Sequence, residues 1–132
     1  MTGKKLILLK GNPKFYIPGI SENFYKKIHD IFKDYTIVEI ESDVRSDKIP
    51  STKSGDIILG FSRGCGFWRW LRMRGEPALM VGIGCGKDQV RPDISLQNPK
   101  DDGSKTRPAD IAHWTITLEM EKKLKEIAKG KR

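Results

Sequence analysis

The sequence predicts a single α/β domain, a small three-layer α/β/α sandwich around a mostly parallel sheet of about four or five strands. The chain has 132 residues and a mass of 15.0 kDa, which leaves no room for a second independent core, so residues 1–132 form one domain. Its strand candidates are short and nearly continuous apolar runs, as expected of strands buried on both faces. Amphipathic helices alternate with these runs, and this alternation is typical of parallel sheets.

The elements follow one another along the chain. Apolar and β-branched runs predict strands at Lys5–Leu9, Tyr35–Ile40, Asp56–Phe61 and Pro77–Ile83. Clustered or regularly spaced apolar residues predict helices at Glu22–Lys33, Phe67–Gly75 and Trp114–Lys129, the first capped by Ser21. Residues 41–55 are polar and are predicted to form a loop. Glycines and prolines spread over Gly84–Pro108 predict a second, long loop with no clear strand between Asp88 and His113.

Composition limits the possible functions. There are 25 Lys and Arg against 17 Asp and Glu, a net charge of +8, and such a balance attracts polyanions without distinguishing a nucleic-acid binder from a basic enzyme. The apolar run Leu6–Leu9 is far shorter than the roughly 18 residues that a membrane helix needs. We therefore expect a cytoplasmic protein, with Cys65 and Cys85 as free thiols. Two histidines and no Cys-x-x-Cys pair are too few ligands for a structural zinc site.

The most informative motif follows the third predicted strand. Gly60-Phe61-Ser62-Arg63-Gly64 has the form Gly-x-Ser-x-Gly between a strand and a helix, which is the arrangement of a nucleophile elbow. Glycines two residues to either side of the serine let the strand and the helix approach each other. The backbone N–H of Arg63 is then placed to stabilise negative charge that develops on a bound carbonyl oxygen.

Other interpretations of these glycines remain open. A glycine-rich strand-to-helix turn can simply bind an anion. Gly60-x-x-x-Gly64-x-Gly66 resembles the nucleotide loop of short-chain dehydrogenases, but that loop follows the first strand of its domain and this one follows the third. Gly82-x-Gly84-x-Gly86-Lys87 departs from both the Rossmann and the P-loop spacing. We favour the nucleophile elbow.

Together these segments resemble a very small, lidless α/β-hydrolase. Lys10-Gly11-Asn12-Pro13 is similar to the first-loop motif of that family, with Lys10 in place of the usual histidine. The resemblance implies a serine hydrolase that cleaves an ester or related acyl bond, with Ser62 as nucleophile and the N–H groups of Asn12 and Arg63 as the oxyanion hole. It implies a small acyl substrate and no metal or organic cofactor.

The resemblance also suggests the partners of the serine. His113 directly precedes the last predicted helix, where the family keeps its base, whereas His29 lies within the first helix. Asp88 follows the fourth predicted strand and matches the family's acid, and the order Ser, Asp, His is the one that this fold uses. Asp93 and Asp110 are rival acids. A non-catalytic relative with the same fold is the first alternative.

A second alternative is a small nucleic-acid-binding protein, because arginines alternate with Trp68 and Trp70. Aromatic rings interleaved with arginines can stack on single-stranded nucleic acid. The two tryptophans fall in a dense apolar helix that the sheet should cover, however, so we expect both to be buried. The positive charge then predicts only weak, non-specific polyanion binding.

Overall fold

A five-stranded parallel sheet forms the centre of the protein, which confirms the predicted α/β class. The computed structural model describes residues 3–41, 44–85, 90–100 and 111–130, with the backbone alone for Ser46 and Arg63. The strands are β1 (Lys5–Leu9), β2 (Thr36–Ile40), β3 (Ile57–Phe61), β4 (Leu79–Ile83) and β5 (Ile94–Leu96). Their spatial order is β2-β1-β3-β4-β5, with every neighbouring pair parallel.

The short edge strand β5 corrects the prediction of one long loop over Gly84–Pro108. Ile94 pairs with Val81 and Leu96 pairs with Ile83, so β5 extends the sheet beyond β4. The three residues of β5 alternate between half-buried and exposed positions. A segment this short carries too few apolar residues for a periodic pattern, and the surrounding prolines conceal it.

The helices lie on both faces of the sheet. They are α1 (Ile20–Ile31), α2 (Trp68–Met73) and α3 (Leu118–Ala128). Successive side chains of a strand point to opposite faces, so Leu6 and Leu8 pack with α1 and α3, while Ile7 and Leu9 pack with α2. Within the described residues, no helix is long and apolar enough to cross a membrane.

The first and last helices begin at different residues than predicted. Gly19, not Ser21, caps α1: its φ is 81° and its N–H donates to the carboxylate of Glu22. Ser21 is buried instead, and its hydroxyl accepts the N–H of Ile17 at 2.8 Å. The predicted helix from Trp114 begins only at Leu118, after a cap by Thr117.

Trp68 and Trp70 occupy opposite sides of α2, so the prediction that both are buried is wrong for Trp70. Trp68 is 1% exposed and packs under the sheet, while Trp70 is 54% exposed. Residues two apart on a helix differ by about 200° in direction. A helix that buries Trp68 and Leu71 therefore directs Trp70 away from the sheet.

The expectation of free thiols is also wrong. Cys65 and Cys85 form a disulfide, with their Cα atoms 5.5 Å apart. Cys65 follows β3 and Cys85 follows β4, and these strands pair with Phe61 beside Ile83. Parallel pairing thus brings together two cysteines that are 20 residues apart in the chain.

The two tryptophans provide a test of this packing. We expect Trp68→Ala to lower the free energy of unfolding by about 3–5 kcal/mol, because it removes a large buried side chain. We expect Trp70→Ala to change it by less than about 0.5 kcal/mol, because that side chain is mostly hydrated already. Urea denaturation followed by circular dichroism measures both. Equal losses of stability would contradict the assignment of the two faces.

Candidate active site at the carboxyl edge of the sheet

The topology itself marks one place in the sheet as a binding crevice. After β1 the chain passes to α1 on one face, and after β3 it passes to α2 on the other face. In open parallel sheets, ligands bind beyond the carboxyl ends of the strands at the point where the connections diverge in this way. The loops that follow β1 and β3 carry Gly11-Asn12 and Ser62, two of the segments that the sequence singled out.

Ser62 has an unusual backbone conformation at this edge. It begins a 3₁₀ turn (Ser62–Phe67) directly after β3, and its φ is 54°. Among the described residues it is the only non-glycine residue with a positive φ. That region of backbone space is costly for residues with a Cβ, and such strain is concentrated at functional sites. Arg63 follows directly in the same turn.

The two glycines around Ser62 are needed for close contacts. A Cβ on Gly64 would overlap the carbonyl oxygen of Leu9 and lie 2.7 Å from its carbonyl carbon. A Cβ on Gly60 would lie 2.8 Å from the indole ring of Trp68. The turn therefore folds back tightly over the end of β1 on one side and against α2 on the other, which is the packing that a nucleophile elbow requires.

The loop after β1 lies against the serine. A Cβ on Gly11 would lie 3.5 Å from the Cβ of Ser62 and 3.1 Å from the ring of Phe61. The N–H of Gly11 donates to the hydroxyl of Tyr25 at 3.0 Å, which ties this loop to α1. Asn12 follows, and its side-chain oxygen accepts the N–H of Lys14 at 3.0 Å.

Tyr25 contacts the loop after β1, and the sequence does not predict this contact. Its hydroxyl accepts hydrogen bonds from Gly11 and, at 3.4 Å, from Tyr16. Burial, helped by the hydrogen bond with Tyr16, holds the pKa of the Tyr25 hydroxyl well above its usual value, so this group stays neutral. The sequence showed Tyr25 only as one apolar position of α1. No local pattern links it to a loop 14 residues earlier.

Lys10, which replaces the usual histidine of the resembled motif, turns towards the edge of the sheet. Its ammonium lies 3.3 Å from Glu39 and 3.4 Å from Glu41, and 4.8 Å from the ring centroid of Tyr25. Burial lowers the pKa of Lys10, but the interactions with Tyr16 and with the carboxylates of the two glutamates outweigh it, so the pKa is raised. Lys10 therefore anchors the start of the loop as a cation.

His113 lies beside the strand end that carries the serine. It belongs to a 3₁₀ turn at Ile111–Trp114, and its ring centroid is 4.8 Å from that of Phe61, the residue before Ser62. The Nε2 atom of His113 is buried. Trp114 packs on Phe61 at 4.6 Å and continues this aromatic wall. His29 is elsewhere, half-buried on α1 and 3.7 Å from Glu39.

Of the three candidate acids, the structure describes only Asp93. Asp88 and Asp110 lie outside the described residues. Asp93 is described, and it accepts the backbone N–H of Met80 at 2.8 Å and a guanidinium N–H of Arg72 at 3.3 Å. Met80 pairs with Ile58, which is four residues before Ser62 and therefore about 13 Å away along the strand. Asp93 is therefore committed to the opposite part of the sheet and is not the acid of this site.

Comparisons with protein families, with curated proteins and with solved structures found no match for this chain. The site is therefore defined by its geometry alone: a strained serine between two closely packed glycines, a loop held against it, and a histidine beside the same strand end.

Substitution of the glycines tests the elbow contact. We expect Gly64→Ala to lower the free energy of unfolding by about 1–3 kcal/mol or more, because the new methyl group overlaps backbone atoms that cannot move independently. Gly66→Ala is the matched control in the same turn, since a Cβ there meets nothing within 4 Å. Thermal unfolding measures the difference, and equal midpoints for the two variants would contradict the described contact.

Proposed function

We propose that this protein is a serine hydrolase of the α/β-hydrolase type that cleaves an ester or related acyl bond of a small molecule. The observation that carries the proposal is the backbone of Ser62: a positive φ between two glycines that have no room for a side chain, at the crevice where the connections of the sheet diverge. An anion-binding loop can share this backbone geometry, but it binds through N–H groups and requires no serine side chain. A nucleophile elbow does require one, because the turn presents its hydroxyl above the sheet.

In the proposed reaction, the hydroxyl oxygen of Ser62 attacks the acyl carbon while the imidazole of His113 takes the hydroxyl proton. The negative charge that develops on the carbonyl oxygen is stabilised by the backbone N–H groups of Asn12 and Arg63. The leaving alkoxide then takes the proton from His113. A water molecule, deprotonated by His113, hydrolyses the acyl-enzyme in the same way and regenerates Ser62. These steps require no metal or organic cofactor.

The residues around the site favour this reaction. The hydroxyl of Tyr25 accepts a hydrogen bond from the N–H of Gly11. This contact fixes the loop that supplies the N–H of Asn12. Phe61 and Trp114 place apolar rings beside His113 and fix the position of its imidazole at the end of β3. Asp88 is the proposed orienting acid, on the strength of the resemblance.

The hydroxyl of Ser62 is the first test of this proposal. We expect the wild-type protein to hydrolyse short nitrophenyl esters and Ser62→Ala to lose at least about a thousand-fold in kcat/KM, because loss of a triad member removes the covalent route. Ser51→Ala, which changes an exposed serine in a loop, is the control and should keep wild-type activity. A folded wild-type protein without esterase activity would instead favour a non-catalytic relative.

Substitution of each histidine tests which of the two is the base. We expect His113→Ala to reduce kcat by several orders of magnitude, since Ser62 then lacks a proton acceptor. We expect His29→Ala to leave kcat within about two-fold of wild type, because its contact is with Glu39 on the surface. The initial rate of ester hydrolysis measures both variants. The reverse pattern would assign the base to His29.

A further inference from the structure

The outward side of α2 carries a surface that the proposed hydrolysis does not use. Four exposed residues follow one another around this side of the helix, and we call them the α2 patch: Arg69, Met73, Trp70 and Arg74. Trp70 is 54% exposed and Met73 is 71% exposed. Residues three apart are neighbours on a helix, so the indole ring and the thioether chain form one apolar strip with an arginine on each side.

Packing of the core does not explain this strip. Trp68 and Leu71, on the inner side of α2, are 1% and 0% exposed and already fill the space under the sheet. The outer tryptophan and methionine leave apolar surface in water without contributing to that core. Contiguous exposed apolar surface rimmed by charged residues is typical of an interaction site.

The charges around the strip are positive and partly held in place. Arg72, on the flank of α2 next to Arg69, donates to the backbone carbonyl of Arg91 at 2.7 Å. Arg74 is fixed by Glu76 at 2.9 Å. Asp93 pairs with Arg72, and Glu76 pairs with Arg74. The positive charge of the patch is therefore larger on the side that holds Arg69. The chain as a whole has a net charge of +8.

We propose that the α2 patch binds single-stranded nucleic acid. The exposed indole of Trp70 offers a planar surface on which an unpaired base can stack, and Arg69, at the edge of the apolar strip, is available for the phosphates. An acidic protein segment could satisfy the arginines, but it has a planar group for the indole only where it contains an aromatic residue, whereas every nucleotide carries both a phosphate and a base. A second copy of this chain would bring the same positive charge and be repelled. Since α2 is only six residues long, the patch contacts a few nucleotides. Its affinity falls as the salt concentration rises, because the arginines bind phosphates.

The test is the binding of a short fluorescein-labelled oligothymidylate to the intact protein, measured by fluorescence anisotropy at about 50 mM and about 200 mM salt. We expect binding that weakens with salt, together with quenching of the tryptophan fluorescence. Trp70→Ala should weaken binding by about five-fold or more, whereas Trp70→Phe should keep most of the affinity because it retains a stacking ring. Arg69→Gln should weaken binding and lower the slope of log K against log salt by about one.

The matched control is Lys33→Gln, which removes the same charge from an exposed position after α1, on the other face of the sheet. It should have a smaller effect than Arg69→Gln. The proposal is overturned if Trp70→Ala binds like the wild type, if Lys33→Gln and Arg69→Gln are equivalent, or if duplex DNA binds as tightly as the single strand. Equally effective competition by polyglutamate would also overturn it, in favour of an acidic protein partner. Ester hydrolysis by these variants should be unchanged, so the outcome is independent of the proposed enzymatic function.

Discussion

The contact between Gly64 and the carbonyl group of Leu9 is the constraint on which the rest of this structure depends. The strands β1 and β3 are neighbours, and the chain must turn at the end of β3 without colliding with the end of β1. A turn tight enough to do so excludes a Cβ at Gly64 and gives Ser62 a φ of 54°. The cost of such a conformation is on the order of 1–3 kcal/mol. The extensive core of the sheet offsets it.

Two surfaces follow from the direction of this turn. On the inside, the loop that contains Gly11 is held against Ser62 by Tyr25, and the aromatic wall of Phe61 places His113 at the same strand end. On the outside, α2 follows the turn and packs on the sheet with one side only. The side with Trp68 supports the elbow through Gly60, while the side with Trp70 faces solvent. Ser62 and the α2 patch thus belong to one continuous segment of the chain.

The amino-acid sequence was sufficient for the features that local patterns encode. Apolar runs located four of the five strands, and the Gly-x-Ser-x-Gly spacing located the strained serine. Features that depend on contacts between distant segments could not be predicted from local patterns. The three residues of β5 form a strand only because β4 is beside them, and the Cys65–Cys85 disulfide exists because β3 and β4 pair in register. Trp70 was expected to be buried because the many apolar residues around it conceal the helical period of this segment.

The activated state of Ser62 is the central claim, and covalent labelling tests it without knowledge of the natural substrate. The intact protein is treated with a fluorophosphonate, digested and mapped by mass spectrometry. We expect one adduct, on the hydroxyl of Ser62, because only a serine with an adjacent base and oxyanion donors reacts readily with this reagent. An adduct on a different residue, or no adduct on a protein that is folded by circular dichroism, would contradict the account.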